Sequence, residues 1–248
     1  MGQLFHTVLY QPIFNLLVIL YNLVPGHDLG VSILLLTVLL KVLLYPIAAR
    51  SIRIQHQMQR LQPQISALQQ KFKGQKEQLS RELMELYKKE KVNPFSSCLP
   101  LLIQLPFLIA VYRVFIDGLK PGPVEGLYSF VTNPGPLNPV AFGFLDLADA
   151  RNWVLAILAG GAQYWQAKML QTKKPPVHGA GTKDEDMAAA MSKQMVYMMP
   201  VMTVFISASL PAGLALYWLA TTLLSVAQQH LMLRPKSALP PATPASQV

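Results

Sequence analysis

Long apolar segments, interrupted by one strongly charged segment, are the feature that most restricts how this chain can fold. Five of them approach the roughly 20 residues that a helix needs to cross a hydrocarbon layer ~30 Å thick. They are residues 31–47, 98–116, 152–167, 195–210 and 212–233. The 248 residues are 52% hydrophobic and 13% charged, which is more apolar surface than one soluble core of this size needs. The sequence therefore predicts an all-α integral membrane protein with five transmembrane helices.

A further apolar segment at the N-terminus differs from these five. Residues 4–23 are interrupted by His6, Gln11, Pro12 and Asn15. Such interruptions favour a helix that lies in the membrane interface over one that crosses it. Because no basic segment and cleavage site precede it, we expect the chain to act as it stands in a bacterial plasma membrane.

The distribution of Lys and Arg predicts the orientation of the chain in the membrane. Ten of them lie in residues 50–91 and five in residues 168–193, whereas residues 118–150 hold only Lys120. Because positive residues are retained on the cytoplasmic side, the N-terminus is predicted outside and the C-terminus inside. The predicted organisation is an interfacial helix and outer loop (1–28), first span (29–49), cytoplasmic helical hairpin (50–92), second span (93–117), external loop (118–150), third span (151–170), cytoplasmic loop (171–194), fourth and fifth spans (195–233) and disordered cytoplasmic tail (234–248).

The charged segment carries the apolar spacing of a helical hairpin. Its apolar residues recur every three or four positions, as in the seam between two packed helices, with a turn at residues 73–75. They are Ile54, Met58, Leu61, Ile65, Leu68 and Phe72 on the first arm and Leu79, Leu83 and Leu86 on the second. Pro63 is predicted to kink the first arm. The hairpin is either self-contained or a docking arm for a ribosome, a nascent chain or another membrane protein, with Met58, Leu61, Leu68, Phe72 and Leu83 as candidate contacts.

Polar residues inside the apolar segments predict a hydrophilic groove within the membrane. Lys41 lies inside the first span, where an ammonium group costs ~2.5–3.5 kcal/mol unless it is hydrated or paired. Thr37 and Tyr45 are four residues away on either side and share its helix face. The other candidate groove residues are Gln104 in the second span, Thr203 and Ser207 in the fourth, and Trp218, Thr222, Ser225 and Gln229 in the fifth. The alternatives are that Lys41 extends to the inner interface and that the other side chains bond between helices.

Motifs for catalysis and for cofactors are missing from the sequence. It contains no H-E-x-x-H, no phosphate-binding glycine loop and no second glycine that would make residues 30–34 a nucleophile elbow. Cys98 is the single cysteine and is assigned no role. The net charge of +9 lies beside apolar segments, which fits anionic lipids or ribosomal RNA better than DNA. We expect no enzymatic activity, no metal and no cofactor.

Several motifs resemble the YidC family of membrane protein insertases, over nearly the whole chain. They are GVSILLLT (30–37), MQRLQP (58–63), LYKKEKVNP (86–94), CLPLLIQLP (98–106), PAGLALYW (211–218) and the pair Gln228-Gln229. The resemblance implies a five-helix core around a hydrophilic groove that is open to cytoplasm and lipid and closed on the outer side. It also implies that nascent membrane proteins are the substrates and that the protein works as a monomer, alone or beside the Sec translocon and the ribosome.

This sequence departs from the family pattern at some positions. The groove cation of the family is usually arginine, and here the matching residue is Lys41, which keeps the charge but lacks the two-pronged guanidinium. Ser96-Ser97 stands where many members have a glycine before the cysteine. Some relatives also have a large external domain and a long basic tail; these 248 residues contain no such domain, and of the tail only Arg234 and Lys236 are present.

Three functions are compatible with these features. The first is an insertase, in which the groove hydrates the polar part of a substrate while its apolar segment moves into lipid. The second is a small transporter or channel for a solute or anion, although the two halves of the sequence show no internal repeat. The third is a scaffold whose hairpin recruits partners, for which the groove residues would be dispensable.

Overall fold

The computed structural model describes residues 3–93, 99–119, 126–169 and 183–233, and they are mostly helical. In chain order the helices are α1 (Gln3–Leu23, with a π-helical turn at His6–Tyr10), α2 (Leu29–Leu43), α3 (Tyr45–Lys71), α4 (Lys76–Lys89), α5 (Leu99–Gly118), α6 (Trp153–Met169), α7 (Lys183–Ala208) and α8 (Ala212–Leu233). Two short strands, β1 (Val140–Ala141) and β2 (Leu145–Asp146), pair antiparallel between α5 and α6. Cys98, residues 171–182 of the predicted loop and the tail 234–248 lie outside the described residues.

By length and composition, one helix of the described residues could cross a membrane alone, and that helix is α1. The consecutive helices α2 and α3 meet the same criterion only as a pair, which is bent by 67°. The apolar part of α7, Val196–Ala208, is shorter. The helix predicted to lie in the interface is therefore long enough to span, although one of its faces is buried in the core through Phe14, Leu17 and Val18.

The bend between α2 and α3 separates the first predicted span from the hairpin. It falls at Leu44, two residues before Pro46, which lies in the first turn of α3. Proline has no N–H to donate, and its ring collides with the carbonyl four residues earlier, so a straight helix cannot continue through it. The first predicted span, 29–49, thus consists of α2 and the first turn of α3.

One core holds the membrane helices together, and a separate cluster holds the hairpin. The core includes Phe14 of α1, Ile33 of α2, Val111 of α5 and Leu214 of α8. The hairpin cluster is centred on Leu61, Ile65 and Val92. In its first arm, α3 runs from Tyr45 to Lys71 without ending at Pro63, the residue predicted to kink it.

The loop between α5 and α6 closes one end of the helix bundle. Asn15, buried in α1, accepts a 2.7 Å hydrogen bond from the Tyr128 amide and donates to the Gly126 carbonyl at 3.3 Å. The carboxylate of Asp28 caps α2 by accepting a hydrogen bond from the Val31 amide. It also accepts one from the amide of Phe142, which lies between β1 and β2. The segment predicted as a loop thus contains a β-hairpin, and Asp28 fixes this hairpin to the start of α2.

The helix α7 begins well before the predicted fourth span. The sequence analysis placed a loop at 171–194, but the chain is helical from Lys183. Ala188, Ala189 and Ala190 have the highest helix propensity of any residue type, which favours continuation of the helix beyond its apolar part. Residues 183–194 are thus helical where a loop was predicted, and the start of the fourth span at 195 stays a prediction.

Candidate functional site

Lys41 and Ser225 meet at the contact between α2 and α8. The Lys41 ammonium donates a 2.7 Å hydrogen bond from Nζ to Oγ of Ser225. The Ser225 hydroxyl in turn donates to the Thr221 carbonyl one turn earlier, at 2.8 Å. The two residues were predicted for one groove from separate parts of the sequence, and the structure brings them into direct contact.

A cavity of about 240 Å³ lies beside this contact. Lys41, Tyr45 and Gln228 border it, but nearly all of the surface that it offers is apolar, from side chains such as Val38, Val42 and Leu224. The cavity is open on one side, since Val42 and Tyr45 are 66% and 52% exposed.

Gln104 joins α5 to α8 through a side-chain hydrogen bond. Its Nε2 donates a 3.1 Å hydrogen bond to the hydroxyl of Tyr217, which is 3% exposed. Gln104 itself is half-buried. Polar contacts therefore connect α8 to both α2 and α5.

The other predicted groove residues are placed differently. Thr37 donates to the Ile33 carbonyl at 2.7 Å and Thr222 to the Trp218 carbonyl at 2.9 Å, so each hydroxyl bonds within its own helix. Both threonines are buried, as is Gln229, whose Oε1 has no hydrogen-bond partner among the described residues. The described lining of the cavity includes none of these three side chains.

In the fourth predicted span, Thr203 and Ser207 are also buried. The Oγ of Ser207 has no hydrogen-bond partner among the residues that the structure describes. The side chains of Thr203 and Ser207 therefore lie inside the helix bundle, where α7 packs against its neighbours.

Sequence reasoning missed two polar residues of α8 at this site. Tyr217 is the partner of Gln104, and Gln228 lines the cavity. Tyr217, Thr221 and Gln228 are spaced four and seven residues apart and so share one helix face. That spacing can be read from the sequence, but the predicted groove face was the neighbouring one, which carries Trp218 and Thr222.

Most of the apolar residues predicted for the hairpin pack between its two arms and are not exposed on its surface. Leu61 and Ile65 are buried, and Ile54, Met58, Leu83 and Leu86 pack against them. Leu68, Phe72 and Leu79 are half-buried nearer the turn. Val92 and Tyr87 also belong to this cluster and were not predicted; burial raises the pKa of the Tyr87 phenol.

The outer surface of the helix bundle is strongly apolar. Large hydrophobic side chains are exposed on α2, α5, α6 and α7, among them Val42, Ile109, Ile157 and Phe205. A soluble monomer rarely exposes apolar patches of this extent. On α6, Trp153 and Trp165 are both exposed near opposite ends, as expected for an aromatic belt.

Metal chemistry has no candidate centre in residues 3–93, 99–119, 126–169 and 183–233, where no three His, Cys, Asp or Glu side chains are grouped to hold an ion.

Comparison with known proteins gives consistent matches. The family model described as 60Kd inner membrane protein matches residues 19–238. The "Membrane protein insertase YidC" of Fusobacterium nucleatum is 31% identical over 230 residues, which cover 92% of this chain and 98% of that protein. The protein of the same name in Francisella tularensis subsp. novicida is 34% identical over 206 residues, which cover 83% of this chain but 32% of the relative.

A solved structure has a similar fold. It is described as "Active YidC insertase crystal structure with the first transmembrane domain resolved". The TM-score is 0.60 at 24% sequence identity, and the match covers 91% of this chain and 46% of the solved one. At this identity the comparison bears on the fold alone.

Proposed function

The chain belongs to the 60Kd inner membrane protein family, that of the YidC membrane protein insertases, and we propose that it inserts newly made proteins into the bacterial plasma membrane and helps them to fold. The observation that carries this proposal is the match to the Fusobacterium insertase over 98% of that protein's length. The family resemblance drawn from the sequence motifs is thereby confirmed. Insertion moves a polypeptide between water and lipid without breaking a covalent bond, so the proposed activity requires no catalytic residue or cofactor.

The proposed architecture has five spans, formed by α2, α5, α6, α7 and α8, around a hydrophilic groove open to cytoplasm and lipid. The groove would contain Lys41, Thr37, Gln104, Trp218, Thr222, Ser225 and Gln229. Support comes from the contact of Lys41 with Ser225 and from the adjacent cavity. The hydrogen bonds that fix the loop between α5 and α6 support closure at the opposite, outer end. The N-terminus is proposed to be outside and the C-terminus cytoplasmic, in agreement with the Lys and Arg distribution.

In this proposal the groove lowers the barrier for polar segments of a substrate. The hydrophilic part of the substrate enters from the cytoplasm, and Lys41 attracts its acidic residues. The apolar segment of the substrate slides outward against exposed side chains such as Val42 and Leu231 into lipid. Burial of that apolar segment in lipid supplies the driving force, since each buried CH₂ contributes about 0.8 kcal/mol.

We propose that the hairpin is the docking arm for partners, with the ribosome and the Sec translocon as its partners and the insertase itself acting as a monomer. Met58, Leu61 and Leu83 take part in packing between the arms, so their proposed role is to hold the arm in shape. Leu68 and Phe72 are half-buried nearer the turn and are the better candidates for direct contact.

Site-specific photocrosslinking during translation tests the proposed function. A photoreactive residue at Gln104 or Trp218 should crosslink to the nascent chain of a small membrane protein. The matched control is Ile157 on α6, which is 60% exposed on the apolar surface and should crosslink to lipid. Equal nascent-chain crosslinking from Ile157 and from the two groove positions would contradict the proposed groove, and none from any position would contradict the proposed function.

A further inference from the structure

Two phenylalanine side chains of the loop between α5 and α6 are almost fully exposed. Phe144, which follows the turn between β1 and β2, is 82% exposed, and Phe130 is 75% exposed. Leu23, the last residue of α1, is also largely exposed. Single exposed apolar residues are common on proteins, but a group of large ones at one end of a bundle marks an interaction surface.

The β-hairpin holds Phe144 at the start of α2. The amide of Phe142 donates to the carboxylate of Asp28, and a Cβ on Gly30 of α2 would lie 2.9 Å from the Phe142 ring. Phe142 and Gly143 form the tight turn with φ angles of 54° and 78°, in the left-handed region where a bulky residue is rare. The close contact with Gly30 accounts for the ring of Phe142. Phe144 is then held two residues away, with its own ring exposed.

Phe130 is held at the end of α1, next to the same turn between α1 and α2. It lies two residues before Thr132, whose carbonyl accepts a 2.7 Å hydrogen bond from Nδ2 of Asn22. Its ring stacks on Tyr128, with 5.4 Å between the ring centroids. Leu23 directly follows Asn22 in α1. The three exposed apolar side chains are therefore all tied to the turn that joins α1 to α2.

We propose that Phe130, Phe144 and Leu23 insert into the outer leaflet at the level of the lipid headgroups and anchor the loop to the membrane surface. The inference rests on the proposed arrangement of the spans, in which α2 begins at the outer face. Phenylalanine and leucine are among the side chains that enter the boundary between headgroups and acyl chains. The start of α6 carries the exposed Trp153, an aromatic residue of the kind that lies at this level.

The size of the patch favours lipid over a protein partner. A stable protein–protein interface buries about 800 Å² on each side. Two phenylalanine side chains bury at most about 500 Å² together, so these rings are too few to hold a second copy or another protein. Lipid needs no such minimum area here, because the patch continues the apolar surface that the helices already present to the bilayer.

Spin labels on single cysteines test the anchor in proteoliposomes. Cys98 is the single cysteine, so Phe144→Cys and Phe130→Cys are each made in a Cys98→Ser background and carry a nitroxide. The label collides with oxygen, which concentrates in lipid, and with a nickel chelate, which stays in water. Oxygen collisions should exceed nickel collisions at both positions.

Two exposed positions serve as controls in the same background. Ile157→Cys on the apolar surface of α6 should also favour oxygen. Ala148→Cys should favour nickel, because Ala148 is exposed between the exposed carboxylates of Asp146 and Asp149, which remain in water.

A label that leaves the rings in place tests whether Phe144 does the anchoring. With the nitroxide at Val140→Cys on the same β-hairpin, the further change Phe144→Ser should raise nickel collisions, whereas Ala148→Ser should leave them unchanged. An unchanged label environment in Phe144→Ser would overturn the proposed anchor.

The label positions also separate lipid from other surroundings. Nickel collisions in excess at Phe144 and Phe130, with oxygen in excess at Ile157, would show that the loop lies in water and would overturn the inference. Few collisions of either kind at the two rings would show that protein covers them and would overturn it as well. Nickel in excess at Ile157 would contradict the proposed arrangement of the spans, and the inference with it.

Discussion

Lys41 of α2 donates a 2.7 Å hydrogen bond to Ser225 of α8, so residues 184 positions apart in the sequence form one polar contact between two helices. The contact holds the ammonium group of the first predicted span against the fifth predicted span. Lys41 also borders the adjacent cavity. The charge of this residue is therefore expected to matter more than its shape.

Variants of Lys41 should separate charge from shape. Lys41→Arg should retain insertion, Lys41→Gln should slow substrates with acidic translocated segments, and Lys41→Glu should stop them. Attraction between unit charges at ~4 Å ranges from ~1 kcal/mol in water to ~4 kcal/mol at an intermediate dielectric, which corresponds to roughly fivefold to several hundredfold in rate. Insertion in proteoliposomes is the measurement, with neutral substrates as the control. Equal rates for Lys41→Gln and the parent on an acidic substrate would leave Lys41 as an anchor at the inner interface.

The hairpin should be dispensable for assembly of the membrane helices but needed for efficient insertion. Its apolar cluster around Leu61 and Ile65 is separate from the membrane core, so removing it leaves that core intact. Replacement of residues 54–90 by a flexible linker should give a protein that accumulates in the membrane and is monodisperse in detergent, yet inserts substrates more slowly. Loss of membrane accumulation even with proteolysis blocked would show that the hairpin is structural.

A point variant tests the hairpin without deleting it. Leu61 is 6% exposed at the centre of the hairpin cluster. Leu61→Ala should lower the stability of the hairpin by about 2–5 kcal/mol, since it removes buried methyl groups and leaves a cavity. Limited proteolysis should cut the hairpin of this variant faster than that of Met84→Ala, in which the altered residue is exposed.

Sequence patterns predicted features that depend on local spacing. The seam of the hairpin was predicted from apolar residues spaced three and four positions apart. In the structure, Ile54, Met58, Leu83 and Leu86 pack against the cluster that contains Leu61. The bend at Leu44, two residues before Pro46, is likewise local, because it follows from the chemistry of proline. Lys41 and Ser225 were both candidates because a charge and hydroxyls inside apolar segments require partners.

Local spacing did not predict features that depend on which faces of two helices meet. Thr37 and Thr222 are spaced like groove residues, yet their hydroxyls bond to their own helices, an alternative that spacing does not distinguish. The β-hairpin of the loop between α5 and α6 has strands of two residues each, too short to show an alternating pattern. Gln228 was missed as a cavity residue because that cavity is formed jointly with residues of α2 such as Val38.

The fourth predicted span should exchange amide hydrogens faster than the first. The predicted fourth span, 195–210, has 16 residues and covers about 24 Å, less than the ~30 Å hydrocarbon layer, so the bilayer must thin or water must reach its ends. The predicted first span, 29–49, has 21 residues and covers the layer. Hydrogen exchange in nanodiscs measures this directly. Slower exchange in 195–210 than in 29–49 would contradict the prediction.

Two adjacent glycines of α6 should respond in opposite ways to alanine. A Cβ on Gly160 would overlap the Val204 side chain and lie 3.0 Å from the Pro200 carbonyl oxygen of α7, whereas a Cβ on Gly161 would meet nothing within 4 Å. Gly160→Ala should therefore force α6 and α7 apart and lower the free energy of unfolding by about 1–3 kcal/mol. Gly161→Ala should leave stability unchanged or raise it by up to about 1 kcal/mol, because alanine favours helix. Thermal unfolding of both variants in the same detergent is the measurement, and each glycine serves as the control for the other. Equal changes in the two variants would show that close approach of α6 and α7 at Gly160 does not limit the packing of these helices.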